Sequence, residues 1–266
     1  GHPNLCDTNA ETGAAQYDGT LRLRTGDRGV HQMAKLGVFA ESLVAPQQAC
    51  HPIPDAVPMH AAALIGCCVT TGVGAVINSP AARPGMSVAV FGCGGVGCSV
   101  IQGARLARAG RIIAVDIAEN KLEWAREFGA TDTVNAKKGD PVEQIKEMTG
   151  SNGVNFVFEA VGTPETLLQS LWSRDLAGTA VLIGVPDPQM VMELPIQRFF
   201  GLGGALRVSW YGDCLPSRDF PLLANWYKSG DLDLDRMVTR TIGLGDTEAA
   251  FEAMERGETL RSVIRF

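Results

Sequence analysis

The sequence predicts a doubly wound α/β fold in which six parallel strands alternate with helices. The stretch from Ser87 to Asp116, SVAVFGCGGVGCSVIQGARLARAGRIIAVD, runs apolar, glycine-rich, helix-compatible, apolar again, and ends in an acid. From Gly85 onward, strand and helix patterns alternate. The apolar runs among them, such as Val88 to Phe91 and Ile112 to Val115, suit strands buried on both faces.

Taken in order, residues 1 to 55 are polar and glycine-punctuated, with short apolar alternations at Thr20 to Leu23 and Val38 to Val44. They read as loops and short strands that cannot close a core alone, and are expected to be the tail of a domain. The chain opens on Gly1 without a charged-then-apolar leader, so the expectation is a piece of a longer protein or one trimmed upstream. Pro58 opens a helix that carries Cys67 and Cys68 and stops at Asn78-Ser79-Pro80. Ala56 to Ala82 carries no Asp, Glu, Lys or Arg, but its Pro58, His60, Thr70, Thr71, Asn78 and Pro80 favour a buried helix over a membrane span.

Strands are expected near 88–92, 112–116, 132–135, 154–158, 179–184 and 203–208. Helices are expected near 95–109, 118–128, 140–149, 164–175 and 195–201. After Pro216 come a helix through Trp226, a loop at 230–235, a strand near 238–243, a helix at 246–256 and a strand at 261–265. These last elements need a partner surface, and the segment before residue 80 is the candidate.

The glycines each have a physical task. In the glycine turn of Gly92, Gly94, Gly95 and Gly97, Gly92 permits the tight turn, Gly94 admits a pyrophosphate to the backbone, and Gly97 lets helix and strand pack closely. Free N–H groups at that mouth suit an anion. Asp116 follows Gly97 by 19 residues, where a carboxylate accepts from both ribose hydroxyls and repels a 2′-phosphate. The cofactor read from these residues is NAD rather than NADP.

The 266 residues are 45% apolar and 20% charged, ordinary globular values, and suggest one or two domains. A formal charge of −6, with scattered Lys and Arg, offers no basic patch, so neither nucleic acid nor membrane is an expected partner. Seven cysteines without a framework of spacings argue for reduced thiols in a cytoplasmic setting.

Local sequence leaves the chemistry-bearing residues open. Cys67 and Cys68 suit either core packing or a zinc thiolate; Cys93 and Cys98 read as packing. His2, His31, His51 and His60 lack partners at metal spacing. Glu159 ends an apolar run where strand ends face a crevice, or is a loop acid. Arg261 could reach a pyrophosphate or be solvated. Serine-hydrolase, kinase and GK[ST] signatures are missing.

The ordered motifs GHPNLC (from residue 1), GVFAE (37–41), LIGCCVTTGVGAV (64–76), VAVFGCGGVG (88–97), IIAVDIAENKLEWAREFGATDTVN (112–135), FVFEAVG (156–162), VLIGVP (181–186) and GETLRSVIRF (257–266) resemble the zinc-type medium-chain alcohol dehydrogenases over the whole chain. The resemblance implies a six-stranded Rossmann sheet plus a partial β-rich GroES-like catalytic domain. Residues 1–80 would be the remnant of the latter with a linking helix, 81–210 the NAD-binding domain, and 211–266 its edge and the return. It implies Cys67 as a catalytic-zinc ligand and Cys6 as a structural-zinc ligand. Thr71 and Val96 would lie against the nicotinamide, Ile183 and Val185 at its carboxamide, and Val161, in FVFEAVG, in the cofactor site. Asp116 and Lys121 would hold the adenosine ribose and Arg261 the pyrophosphate.

Family zinc sites need further Cys and His ligands that this sequence does not supply around Cys67 and Cys6, so the polypeptide as given is expected to bind NAD weakly at best and not to turn over. Cys68 replaces a common glycine, and Thr163 stands where some members have an arginine near the adenine. Residues 203 to 221 are similar to actinobacterial mycothiol-dependent formaldehyde dehydrogenases, whereas Asp7 to Met33 looks more like mycobacterial-type alcohol dehydrogenases of broad range. Hydride transfer between an alcohol or aldehyde and NAD ranks first. Oxidation of a thiol adduct such as S-(hydroxymethyl)mycothiol is close behind, and a non-catalytic NAD-binding fragment is third. Family members pair along the last sheet strand, which makes residues 200 to 210 the expected interface of a homodimer or homotetramer.

Overall fold

The computed structural model describes residues 3–5, 13, 15–79, 82–150 and 152–266. The expected parallel sheet forms from β3 (Ser87–Phe91), β4 (Arg111–Asp116), β5 (Asp132–Asn135), β6 (Val154–Glu159), β7 (Arg174–Leu182) and β8 (Ala205–Val208), in the order β5-β4-β3-β6-β7-β8. Every neighbouring pair is parallel. The strand order reverses between β3 and β6, and at such a point the carboxyl ends of two strands part into a crevice.

Two-residue alternation divides each central strand between the two faces. Val88, Val90, Ile112, Ala114, Phe156 and Phe158 join one core with α1 (Met59–Ile77) and α2 (Gly95–Leu106). Ala89, Phe91, Ile113, Val115 and Val157 join another with Ile145 of α4 (Pro141–Thr149). The remaining crossovers are α3 (Glu119–Phe128), α5 (Pro164–Trp172) and α6 (Ile196–Leu202).

Helix ends follow their local code. Pro141 and Pro164 occupy first-turn positions; Asp140 accepts from the Val142 N–H at 2.9 Å, and Thr163 and Thr166 cap each other reciprocally. Replacing Asp140 with alanine should cost about 1 kcal/mol, visible as a lower urea midpoint with an unchanged slope.

Helix α1 is long and apolar enough to cross a membrane by length and composition, but 61% of its most apolar window is buried within the protein. Its glycines serve close approach: a Cβ at Gly72 would lie 2.5 Å from the Val96 carbonyl oxygen, and one at Gly74 would strike the Gly212 carbonyl. Downstream come α7 (Pro216–Lys228) and then a two-stranded parallel ribbon of β9 (Val238–Ile242) and β10 (Arg261–Ile264), with α8 (Thr247–Glu255) as the crossover between its strands.

Three expectations shift. The Thr20–Leu23 alternation enters a hairpin only at its last residue, as β1 (Leu23–Thr25) and β2 (Arg28–Val30) pair antiparallel. Val38 to Val44 forms no strand: Val38, Phe39, Leu43 and Val44 are all exposed, and no strand among the described residues pairs with them. Strand β7 begins at Arg174 rather than near 179, because that guanidinium is fully buried by donating to the carbonyls of Leu171 (2.9 Å), Gly178 (2.9 Å) and Gly203 (2.6 Å) and lying over the Phe199 ring.

Candidate cofactor cleft

The cleft begins where β3 ends. Gly92 takes φ +89°, a conformation costly for any residue with a Cβ, and its N–H donates to the Val115 carbonyl at 2.8 Å. Gly94 is the extended residue before α2, and among the described residues no side chain caps that helix, which leaves its first amides open to an anion. A Cβ on Gly97 would overlap the Gly92 carbonyl oxygen, which fixes how tightly the helix seats on the turn.

Asp116 closes the other side and is more engaged than its sequence position suggested. One carboxylate oxygen accepts from the Cys93 N–H at 2.8 Å; the other accepts from the N–H groups of Ile117 (2.8 Å) and Ala118 (3.0 Å). The acid therefore fastens the glycine turn to the start of the next crossover, with acceptor capacity left for a ligand hydroxyl.

Arg261, at the start of β10, reaches back so far that a Cβ on Gly95 would collide with its guanidinium. Gly95 is glycine in order to admit that cation to the helix mouth. Lys121 lies over the turn at Gly257, and Asn120 donates to the Gly257 carbonyl at 2.8 Å, anchoring the approach to β10 on α3. Glycine turn, acid and cation thus form one unit, although Arg261 is 164 positions beyond Gly97.

On the β6 side, Val161 packs its methyl against Gly92, where a Cβ would sit 2.7 Å away. Ile183 follows β7 half-buried, and Val185 is exposed. Across the tight α1–α2 contact, a Cβ on Gly72 would meet the Ser99 side chain and the Val96 carbonyl, which brings the Thr70–Thr71 turn of α1 close to the start of α2. Thr163, at the family's arginine position, is spent on capping α5.

Cys67 sits in a π-helical turn (Ile65–Val69) inside α1, held by the Thr70 hydroxyl donating to the Ile65 carbonyl (2.5 Å) and by the Tyr211 hydroxyl donating to the Gly66 carbonyl (2.6 Å). The extra residue turns Cys67 outward and Cys68 into the core. Such bulges are frequent at functional sites, and nothing in the local composition announced this one. Partial burial, and then neighbouring Cys68, hold the Cys67 thiol above its ordinary pKa, against Arg261 and a Thr71 hydrogen bond. Cys93 and Cys98 are buried packing residues, and burial pushes Cys98 to about 12.

The fit of the two implied cofactors differs. The uncapped helix mouth, the acid and the cation suit a dinucleotide. For zinc, among the described residues no group of three or more His, Cys, Asp or Glu could hold a metal ion, and Cys6 lies outside the described residues. The described donors do not close a tetrahedral site; they leave one thiol within the field of Arg261. His2 also lies outside the described residues, His60 is paired with Asp235 at 2.7 Å, and His51 stands edge-on to Phe220.

Residues 95–229 match the model of the family described as zinc-binding dehydrogenase. An S-(hydroxymethyl)glutathione dehydrogenase of Escherichia coli O1:K1 / APEC is 36% identical, across all of this chain and 73% of its own length. Alcohol dehydrogenase 1 of Pisum sativum is 32% identical across 98% of this chain and 70% of its own. A crystal structure titled as an alcohol dehydrogenase zinc-binding domain protein from Burkholderia ambifaria superposes with TM-score 0.93 at 33% identity, covering the whole chain and 72% of that one. Benzyl alcohol dehydrogenase from Acinetobacter calcoaceticus superposes with TM-score 0.87 at 28% identity, covering the whole chain and 75% of that one.

Proposed function

Because the chain belongs to the zinc-binding dehydrogenases, NAD- and zinc-dependent oxidoreductases of alcohols and aldehydes, we propose that its cleft holds NAD with the diphosphate on the mouth of α2 and the adenosine ribose on Asp116. One observation carries the reading: the Cys93 N–H bond to Asp116 joins the uncapped helix mouth and the ribose-selecting acid into a single rigid edge. Arg261 adds a positive charge where the diphosphate would lie, and Lys121, over the Gly257 turn, would serve the adenosine ribose. Val96, Thr71, Val161, Ile183 and Val185 supply the apolar walls against which a nicotinamide ring stacks. A nicotinamide held there would supply hydride transfer; the chain's part is to orient that ring and exclude water from its face. Cys67, one turn from Thr71, borders the reacting end.

The substrate is a small alcohol or aldehyde. A second reading, oxidation of a thiol adduct of formaldehyde, is favoured by the Escherichia coli relative and by residues 203 to 221. It differs in requiring a low-molecular-weight thiol for any rate. We further read residues 1–80, 81–210 and 211–266 as catalytic-domain portion, cofactor domain and return, in a cytoplasmic protein. Strand β8 ends the sheet with an open edge and an exposed Val208, a template for a second copy pairing through residues 200–210.

Calorimetric titration of the 266-residue chain tests the cofactor reading. NADH is expected to bind and NADPH to bind about a hundredfold more weakly, since a 2′-phosphate would face the buried Asp116 carboxylate. Equal affinities, or a preference for NADPH, would overturn it.

A further inference from the structure

Glu159 ends β6 at the strand-order reversal, fully buried, beside Phe91 of β3 and Leu182 of β7. Its backbone carbonyl accepts from the N–H groups of Ile183 (2.8 Å) and Gly184 (2.9 Å). One side-chain oxygen, Oε1, accepts three times: from the Val161 N–H (2.9 Å), the Gly162 N–H (2.8 Å) and the Thr166 hydroxyl (2.8 Å). The other, Oε2, is buried with no hydrogen-bond partner among the described residues. A buried carboxylate oxygen without a donor is costly, so the acid is held there by what Oε1 and the carbonyl organise.

What they organise is the far wall of the cleft. Oε1 folds the 160–162 turn, with Gly162 at φ +91°. The carbonyl holds the start of the 183–185 turn. The two turns touch: a Cβ on Gly162 would lie 2.7 Å from the Val185 carbonyl oxygen, and one on Gly184 would strike the Gly162 N–H. The Asp116 edge uses none of these bonds. Building on the NAD reading, we infer that Glu159 is a positioning residue for the nicotinamide half of the cofactor, setting Val161, Ile183 and Val185 as one wall.

The test compares two ligands on the same variants. In Glu159→Ala, NADH affinity should fall about tenfold or more while AMP, which lacks the nicotinamide half, stays within about twofold of wild type. Glu159→Gln keeps an acceptor at Oε1 but puts an NH2 group in the partnerless position, and should show the same split more weakly. Thr166→Val removes one donor to Oε1 and covers the case in which the alanine variant does not fold; it too should weaken NADH and spare AMP. Parallel losses of both ligands, or no loss of either, would overturn the inference. Failure of the wild-type chain to bind NADH would instead overturn the cofactor reading itself.

Discussion

Gly97→Val should leave a chain that no longer binds NAD measurably, a loss of about a hundredfold or more. The Cβ alone would overlap the Gly92 carbonyl oxygen, and valine adds two methyls between two backbone segments that cannot move independently. The Gly92 N–H is tied to β4 and the Gly94 carbonyl receives the Cys98 N–H at 2.8 Å. Relief therefore requires lifting α2 off the turn, which moves its amides from the diphosphate position. Overpacking of this kind costs about 1–3 kcal/mol of stability, so a lower thermal midpoint should accompany the loss seen by NADH fluorescence titration. A valine variant that bound NADH normally would show that the mouth of α2 is not the anion site.

Asp116→Ala should be nearly as severe, for two separable reasons. The Cys93 N–H lies in a fully buried residue and would lose its acceptor, at about 1–3 kcal/mol, and the Ile117 and Ala118 amides would lose theirs to water. The cofactor would also lose its ribose acceptor, so NADH affinity should fall about a hundredfold. Asp116→Asn separates the two contributions: its single carbonyl oxygen can serve one side of the edge, so stability should recover more than affinity does. Chemical denaturation and NADH titration on the same preparations measure both.

The parts of this molecule that were legible in the sequence are those with a local code. Apolar runs alternating with helix patterns gave the parallel sheet, glycines at fixed offsets gave the turn, and the acid ending β4 gave the carboxylate beside it. What escaped depends on contacts between distant segments. The start of β7 was hidden by Arg174, a charge whose burial makes sense only once Gly178 and Gly203 offer their carbonyls. The π turn under Cys67 depends on Tyr211, 145 positions downstream of Gly66. Val38 to Val44 had a strand's composition but no strand to pair with among the described residues. Glu159 read equally as a crevice residue or a loop acid, and only its hydrogen bonds distinguish the two.

The placement of NAD is the central claim, and amide chemical shifts during an NAD titration of the ¹⁵N-labelled chain test it most directly. The account predicts the largest shifts at Gly94, Gly95 and Gly97, from the diphosphate, and at Ile117 and Ala118, from the ribose on Asp116, with AMP reproducing the second group. Saturation with NAD that left these five amides unmoved while others shifted would contradict it.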